Sequence, residues 1–309
     1  MCSQYIRVGG TLPFQDRALL CYRSILPERN KRPLLKRALC ERAYFVSKET
    51  TMEHIVPSID WSTLRYRLCR KRQLSRRVFE ETVEEPLDRL IGCCGSYSRG
   101  RNMAEIIGGV LLDAALQPRI LVPCCHNYRG PEFAEGQAPL LVEKQVRFLR
   151  EVVKILPAAK ICFLIPDQEE ESAAVVGLPL TTFRERVESS LFHTRSVVPF
   201  EWDVVRFSTI VPGEDWIEHK MGARILTNPL HSGRLRHFTA QRRTLQERQY
   251  GTLSPEEHLE KTAHTAGQYA VLAQYAVAQR ALICNHTSPN LAWYSTFKAG
   301  VLHNPVSPY

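Results

Sequence analysis

Two short apolar runs, Leu90-Ile91 and Ile120-Leu121-Val122, constrain the fold more than anything else in this chain. The first leads into a turn, Gly92-Cys93-Cys94-Gly95-Ser96-Tyr97-Ser98-Arg99-Gly100, loaded with thiols and hydroxyls. The second ends in Pro123-Cys124-Cys125-His126. Between them, Asn102 to Leu116 has helical character. Strand, turn, helix, strand of this length predicts a βαβ unit with parallel strands over Leu90–Cys94 and Ile120–Cys124. Ile161–Ile165 is the third expected strand, after an amphipathic helix from Ala138 to Leu156. Open α/β sheets bind ligands at the carboxyl ends of their strands. The nucleophile-rich turn and the Cys-Cys-His end are therefore expected to share one crevice.

The remaining elements extend this pattern. A helix is expected over Pro33 to Val46, within an otherwise irregular stretch of residues 1–55. Ser62 or Thr63 could cap a basic helix reaching about Glu81, with Glu84-Glu85-Pro86 breaking the pattern. Gly130-Pro131 marks a turn, and Pro166 to Glu171 forms the third strand-end loop. A helix from about Thr182 to Phe192 precedes extended segments around Val204–Ile210 and Ala223–Leu226. Arg234 to Tyr250 is charged and helical. Ser254-Pro255-Glu256-Glu257 is an N-terminal helix signature, opening a long helix to about Arg280. Leu282-Ile283-Cys284 is a last short strand before an irregular tail, His303-Asn304-Pro305-Val306. The expected architecture is α/β: a Rossmann-like parallel sheet flanked by helices over residues 86–309, preceded by a basic helical extension over 1–85.

The charge supports a division at that point. The chain carries a net charge of +9 over 309 residues, yet residues 1–80 alone hold 17 Lys/Arg against 7 Asp/Glu. An excess this localised fits either a polyanionic partner such as nucleic acid or a solvated helix surface. No run of 18 apolar residues occurs, so no membrane span is expected. Met1 to Arg7 lack the apolar core of a secretory signal. The ten cysteines then read as thiols of a reducing compartment, with the cytoplasm as the expected location.

The turn lacks both GxGxxG and the phosphate-loop pattern, so no nucleotide site of the usual kind is expected there. Cys94, Ser96 and Ser98 remain as nucleophiles. Backbone N–H groups at such a turn can stabilise a thiolate or an oxyanion. Alternatively the cysteines are small core residues and the serines are helix caps. Adjacent cysteines point to opposite faces of a strand, and Cys93, Cys94, Cys124, Cys125 and His126 lack the spacing of zinc knuckles, so no metal is expected. Lys144, Arg147, Arg150 and Lys154 recur at steps of three and four on one helix. They form either a solvated face or a phosphate-binding one. Tyr269 and Tyr275, with Gln268, Gln274 and Gln279, suggest a polar pocket or an aromatic core.

Taken together, residues from about Leu90 to Tyr294 resemble the tRNA-dependent cyclodipeptide synthases, and within them the fungal arginine-containing branch. In that family a nucleophile-bearing turn follows a strand, and a second strand ends near a proline. A basic helix then holds tRNA. A later helix bears Tyr-x-x-x-Glu, with a final tyrosine about 25 residues beyond its first. Tyr269 and Tyr294 have that spacing. Ungapped counting sets Cys94 at the nucleophile and Ser98 at the second serine, whereas a two-residue gap sets Ser96 at the nucleophile. Four residues after Tyr269 stands Ala273 rather than Glu, with Gln274 beside it.

The resemblance implies an aminoacyl-tRNA-using enzyme, with arginyl-tRNA as one candidate substrate, that joins two amino acids into a diketopiperazine through a covalent aminoacyl-enzyme. It implies catalytic roles for Ser96, Cys94, Ser98, Tyr269, Gln274 and Tyr294. Arg70, Lys71 and Arg72 would contact tRNA together with Lys144, Arg147, Arg150 and Lys154. No cofactor is required, because aminoacyl esters are already activated. Competing classes are a nucleotide- or S-adenosylmethionine-dependent transferase and a non-catalytic RNA-binding protein.

Overall fold

The computed structural model describes residues 60–124, 140–167, 178–210, 218–285 and 293–305. The chain divides into two compact units, Met1–Ile55 and Val56–Tyr309, and every described residue belongs to the second. The expected helix over Pro33 to Val46, Cys125-His126, the Gly130-Pro131 turn and Gln168 to Glu171 lie outside the described residues.

Five strands form one sheet: β1 (Arg119–Pro123), β2 (Lys160–Ile165), β3 (Asp203–Arg206), β4 (Leu282–Asn285) and β5 (Gly300–His303). Their order is β3-β2-β1-β4-β5, and every neighbouring pair is parallel. Leu121 stands opposite Cys162 on one side and Ile283 on the other. Strands covered on both faces by helices must be apolar at successive positions. Accordingly, all of β4 and five of the six residues of β2 are buried. The architecture is α/β with a Rossmann-like parallel sheet, and the strands expected at Ile120 and Ile161 are neighbours in it.

The expected strand over Leu90–Cys94 is a helix. Val83, Leu87, Leu90 and Ile91 are buried and recur at steps of four, three and one, which is the helical period. Counting Leu90-Ile91 as an extended run missed this, because two apolar residues fit either period. Glu84-Glu85-Pro86 does not break the chain either. Helix α1 (Trp61–Arg72) is followed by α2 (Arg76–Phe79), a π-helical turn (Glu80–Glu84) and α3 (Glu85–Cys93). Pro86 lies in the first turn of α3, where a missing N–H is tolerated. Arg65 bridges the π turn, pairing with Glu80 at 2.7 Å and Glu84 at 2.6 Å.

Neither Ser62 nor Thr63 caps α1. Asp60 does, accepting from the Thr63 N–H at 3.1 Å. That helix ends at Gln73, in the left-handed region at φ 53°, well short of Glu81. Helix α4 (Arg101–Asp113) follows the turn and α5 (Leu140–Ile155) joins β1 to β2. Helix α6 (Leu180–Val197) precedes β3, and the short α7 (Phe207–Ile210) replaces the second half of the expected Val204–Ile210 strand.

Ala223–Leu226, expected as extended, lies within α8 (Glu218–Thr227). Three of its four residues are apolar or small, which suits a helix face as readily as a strand. This helix packs closely on α10 (Pro255–Ala278). A Cβ on Gly222 would fall 2.9 Å from the Ala263 carbonyl oxygen, so the crossing requires glycine. Helix α9 (Pro229–Tyr250) lies against both. Ser254 caps α10, as its sequence signature implied, and the Glu257 side chain returns a hydrogen bond from the Ser254 N–H. His303, expected in an irregular tail, ends β5 instead.

Candidate active site at the carboxyl edge of the sheet

Strand β1 continues in sequence toward β2 on one side, and its neighbour β4 continues toward β5 on the other. The gap between β1 and β4 is thus the topological switch point, where open α/β sheets take ligands at the carboxyl ends. Cys124 follows β1 there, buried, with its N–H on the Leu164 carbonyl at 3.0 Å. Cys284 and Asn285 end β4, both buried. The Asn304 N–H reaches the Asn285 carbonyl at 2.8 Å and carries the β4–β5 pairing one residue further.

The turn after α3 docks on the same edge, against β5. Strand β5 is an edge strand, and its outward-facing backbone groups need partners. Ser98 Oγ donates to the Val301 carbonyl and accepts from the His303 N–H, both at 2.7 Å. The Gly95 N–H donates to the His303 carbonyl at 2.7 Å, and the Val301 N–H lies 3.1 Å from Met103 Sδ. A Cβ on Gly95 would fall 2.3 Å from His303 Nδ1, so only glycine allows this approach. Arg99 turns back to cover the end of α3, donating to the carbonyls of Cys94 at 3.1 Å and Gly92 at 3.0 Å.

These contacts separate the three candidate nucleophiles. Ser98 is fully buried, and its hydroxyl both donates and accepts within the protein. Cys94 is buried, and its hydrogen bond to Cys93, with burial, pushes its thiol well above the usual range. Ser96 is exposed. Nothing in its sequence pattern sets Cys93 apart from Cys94, but its thiol is distinctive. A hydrogen bond from Cys94 holds it below the usual cysteine range against the opposing effect of burial. Cys284 lies near enough to feel Cys93, and burial pushes its thiol strongly up.

The two tyrosines set 25 residues apart come together at this edge. Tyr269 on α10 and the fully buried Tyr294 meet edge to face, 5.4 Å between ring centroids. The Asn285 side-chain amide donates to the Tyr294 hydroxyl at 3.2 Å, which ties the pair to the end of β4. Phe238 of α9 packs on Tyr269 at 6.4 Å and on Trp293 at 5.9 Å. Half-buried Tyr97 links the turn to this cluster. Burial raises its hydroxyl pKa, while a hydrogen bond with Ser295 and the charge of Arg234 act the other way.

Gln274 lies five residues beyond Tyr269 on α10 and is half-buried. Its neighbour Tyr275 accepts from Arg119 at the start of β1, at 3.5 Å. A cavity of about 240 Å³ also opens at that amino-terminal edge, lined by Lys71, Arg72, Glu105, Asp113, Arg280 and Lys298 among others. It holds none of the candidate nucleophiles.

Several expected RNA contacts are engaged with carboxylates. Lys71 pairs with Glu105 at 2.5 Å and Arg72 with Asp113 at 2.6 Å, clamping α1 to α4. Lys154 pairs with Glu151 at 2.7 Å. Arg70 is exposed and donates to the Tyr66 hydroxyl at 3.3 Å. Arg147 and Arg150 are exposed on α5, and Lys144 is half-buried.

Among the described residues no cluster of His, Cys, Asp and Glu is arranged to hold a metal ion, and no helix is long and apolar enough to cross a membrane. No family model, curated protein or solved structure matches the chain.

Proposed function

We propose that the protein is an aminoacyl-tRNA-dependent cyclodipeptide synthase acting in the cytoplasm, with Ser96 as nucleophile. The observation that carries this reading is the Tyr269–Tyr294 pair at the switch-point edge, beside a turn that offers one exposed hydroxyl. Tyrosine hydroxyls near a reacting ester can hold an α-amine and move its protons. Gln274, further along α10, is assigned with the tyrosines to positioning the α-amine.

In this scheme Ser96 Oγ attacks the carbonyl of an aminoacyl ester. The bond to the terminal ribose oxygen breaks, the ribose hydroxyl takes the proton, and an aminoacyl-enzyme remains. The stored residue's amine then attacks a second aminoacyl ester and releases a second tRNA. The new terminal amine finally attacks the ester to Ser96, closing the six-membered ring and restoring the hydroxyl. Gly100 supplies no side-chain cap to α4, so N–H groups of its first turn can donate to a developing oxyanion.

Intact mass after mixing with charged tRNA tests the scheme. The expected result is a mass increase of one aminoacyl group that Ser96→Ala abolishes, with a cyclic dipeptide in the small-molecule fraction. No adduct with any charged tRNA, together with thermal stabilisation by S-adenosylmethionine or a nucleotide, would move the assignment to the competing transferase.

A further inference from the structure

We propose that the cavity at the amino-terminal edge of the sheet is a binding site for a small phosphomonoester with an apolar body, its phosphate held by Arg280 and Lys298.

Arg280 and Lys298 reach this cavity by the same local route. Each occupies a left-handed position, at φ 51° and 60°, two residues before the paired strand positions Leu282 and Gly300. Each follows a helical turn that ends in the same way. The Ala281 N–H donates to the Ala276 carbonyl at 2.8 Å, and the Ala299 N–H to the Tyr294 carbonyl at 3.1 Å. Such turns close a helix through backbone bonds, so neither cation is needed as a cap. Neighbouring strands lie about 4.8 Å apart, which sets the two residues side by side. Both line the cavity, and among the described residues neither side chain has a hydrogen bond or an ion pair.

Charge and size select the ligand. The cavity, of about 240 Å³, is lined by four cations and two carboxylates. Lys71 pairs with Glu105 at 2.5 Å and Arg72 with Asp113 at 2.6 Å, which leaves Arg280 and Lys298 unmatched. Two unmatched positive charges suit a dianion, and a phosphomonoester carries about −1.5 to −2 at pH 7. Leu68, Ile106 and Val277 add an apolar wall, and Val277 is 47% exposed. An apolar ligand body over Val277 would remove that surface from water. The volume falls below the roughly 300 Å³ at which pockets for drug-sized ligands begin, so a small phosphorylated molecule fits. An RNA backbone, with phosphates spaced along an extended chain, cannot gather them into one cavity.

The test is thermal unfolding of the full chain with phenyl phosphate as the probe, against benzoate and phenol at equal ionic strength. Phenyl phosphate should raise Tm saturably, by about 3 °C or more at about ten times its Kd. Benzoate, with one charge, and phenol, with none, should give less than about a third of that shift. Arg280→Gly/Lys298→Gly should weaken phenyl phosphate binding about tenfold or more while keeping or raising the ligand-free Tm, because glycine relieves both left-handed positions. Arg147→Gln/Arg150→Gln removes equal charge from an exposed face of α5 and should leave the shift intact. An undiminished shift in the Arg280/Lys298 variant, or an equal loss in the Arg147/Arg150 variant, overturns the proposal. So does a shift that grows without saturating, which is a general salt effect, or one matched by benzoate. An uncharged tRNA transcript that loses as much affinity as phenyl phosphate in the Arg280/Lys298 variant would make the patch an RNA surface, and equally overturns it.

Discussion

The ring of Tyr269 stands edge-on to the ring of Tyr294, at 75° between planes. One comes from the middle of α10 and the other from the segment joining β4 to β5, so strand β4 and its flanking turns bring them together. A pair worth about 1 kcal/mol in ring contact alone accounts for packing. It does not require the hydroxyl of Tyr294, which Asn285 engages.

Tyr294→Phe keeps the ring and removes that hydroxyl. The expected cost in stability is about 1 kcal/mol, for one lost hydrogen bond. Product formation from charged tRNA should fall roughly 100-fold or more if the hydroxyl moves a proton. Normal turnover with the same loss of stability would make Tyr294 a packing residue.

The serines of the turn should separate cleanly. Ser98→Ala leaves the His303 N–H and the Val301 carbonyl without their partner on a buried edge, and should cost about 2–3 kcal/mol in urea unfolding. Ser96→Ala, at an exposed position, should change stability by less than about 0.5 kcal/mol and abolish the aminoacyl adduct. The opposite pattern would exchange their roles.

Gly95→Ala forces a methyl group into the His303 ring. The expected loss is about 2 kcal/mol. In a His303→Ala background the same change should cost much less, and the double-mutant cycle would report the contact directly. An unchanged cost in that background would place the strain elsewhere in the turn.

Thiolate, not thiol, reacts with iodoacetamide. Among Cys69, Cys93, Cys94, Cys124, Cys162 and Cys284, Cys93 should be alkylated first. Its pH profile should lie below that of a peptide cysteine, near about 8.5, because the Cys94 hydrogen bond favours its thiolate. Cys94→Ala removes the donor, so the profile should move to higher pH. Peptide mass mapping reads both, and a profile insensitive to that change would contradict the pairing.

Lys71, followed by Arg67, holds the Glu105 carboxyl below the usual range. A depressed carboxylate pKa stabilises the fold above the unfolded value of about 4.3, and the gain is lost as pH falls through the folded value. The Arg67 side chain is 46% exposed and that of Lys71 66%, so Glu105→Gln should cost only about 1 kcal/mol at pH 7. The difference from the native chain should shrink toward zero near pH 3, and a constant difference in urea midpoints would contradict the linkage.

The strands at Ile120, Ile161 and Leu282 were readable because buried parallel strands are short, uninterrupted apolar runs. The long helix α10 was readable from Ser254 and Pro255, whose cap chemistry is local. What failed was Leu90–Cys94, where the deciding residues Val83 and Leu87 lie upstream of the run itself. The roles of Ser98 and Gly95 were hidden for a different reason: their partners are in β5, whose four residues carry no strand signal of their own. The cations of α1 looked available because a sequence shows charge but not the Glu105 and Asp113 that meet it across the helix packing. Helix α9 was read only as charged and helical, although the absence of acids before Glu247 was there to be seen.

Ser98 and His303 are separated by 205 residues, and that separation has a consequence for how the molecule is made. At roughly 5–20 residues per second of synthesis, the turn emerges about 10–40 s before the strand that satisfies it. For most of that interval β1 is an open margin of the growing sheet, because β4 is made only shortly before β5. The hydroxyl of Ser98 and the N–H of Gly95 have only water to bond. Closure by the last strand is therefore a late, long-range step of the kind that slows folding. The nascent chain is most vulnerable to pairing with a neighbour just before β5 appears.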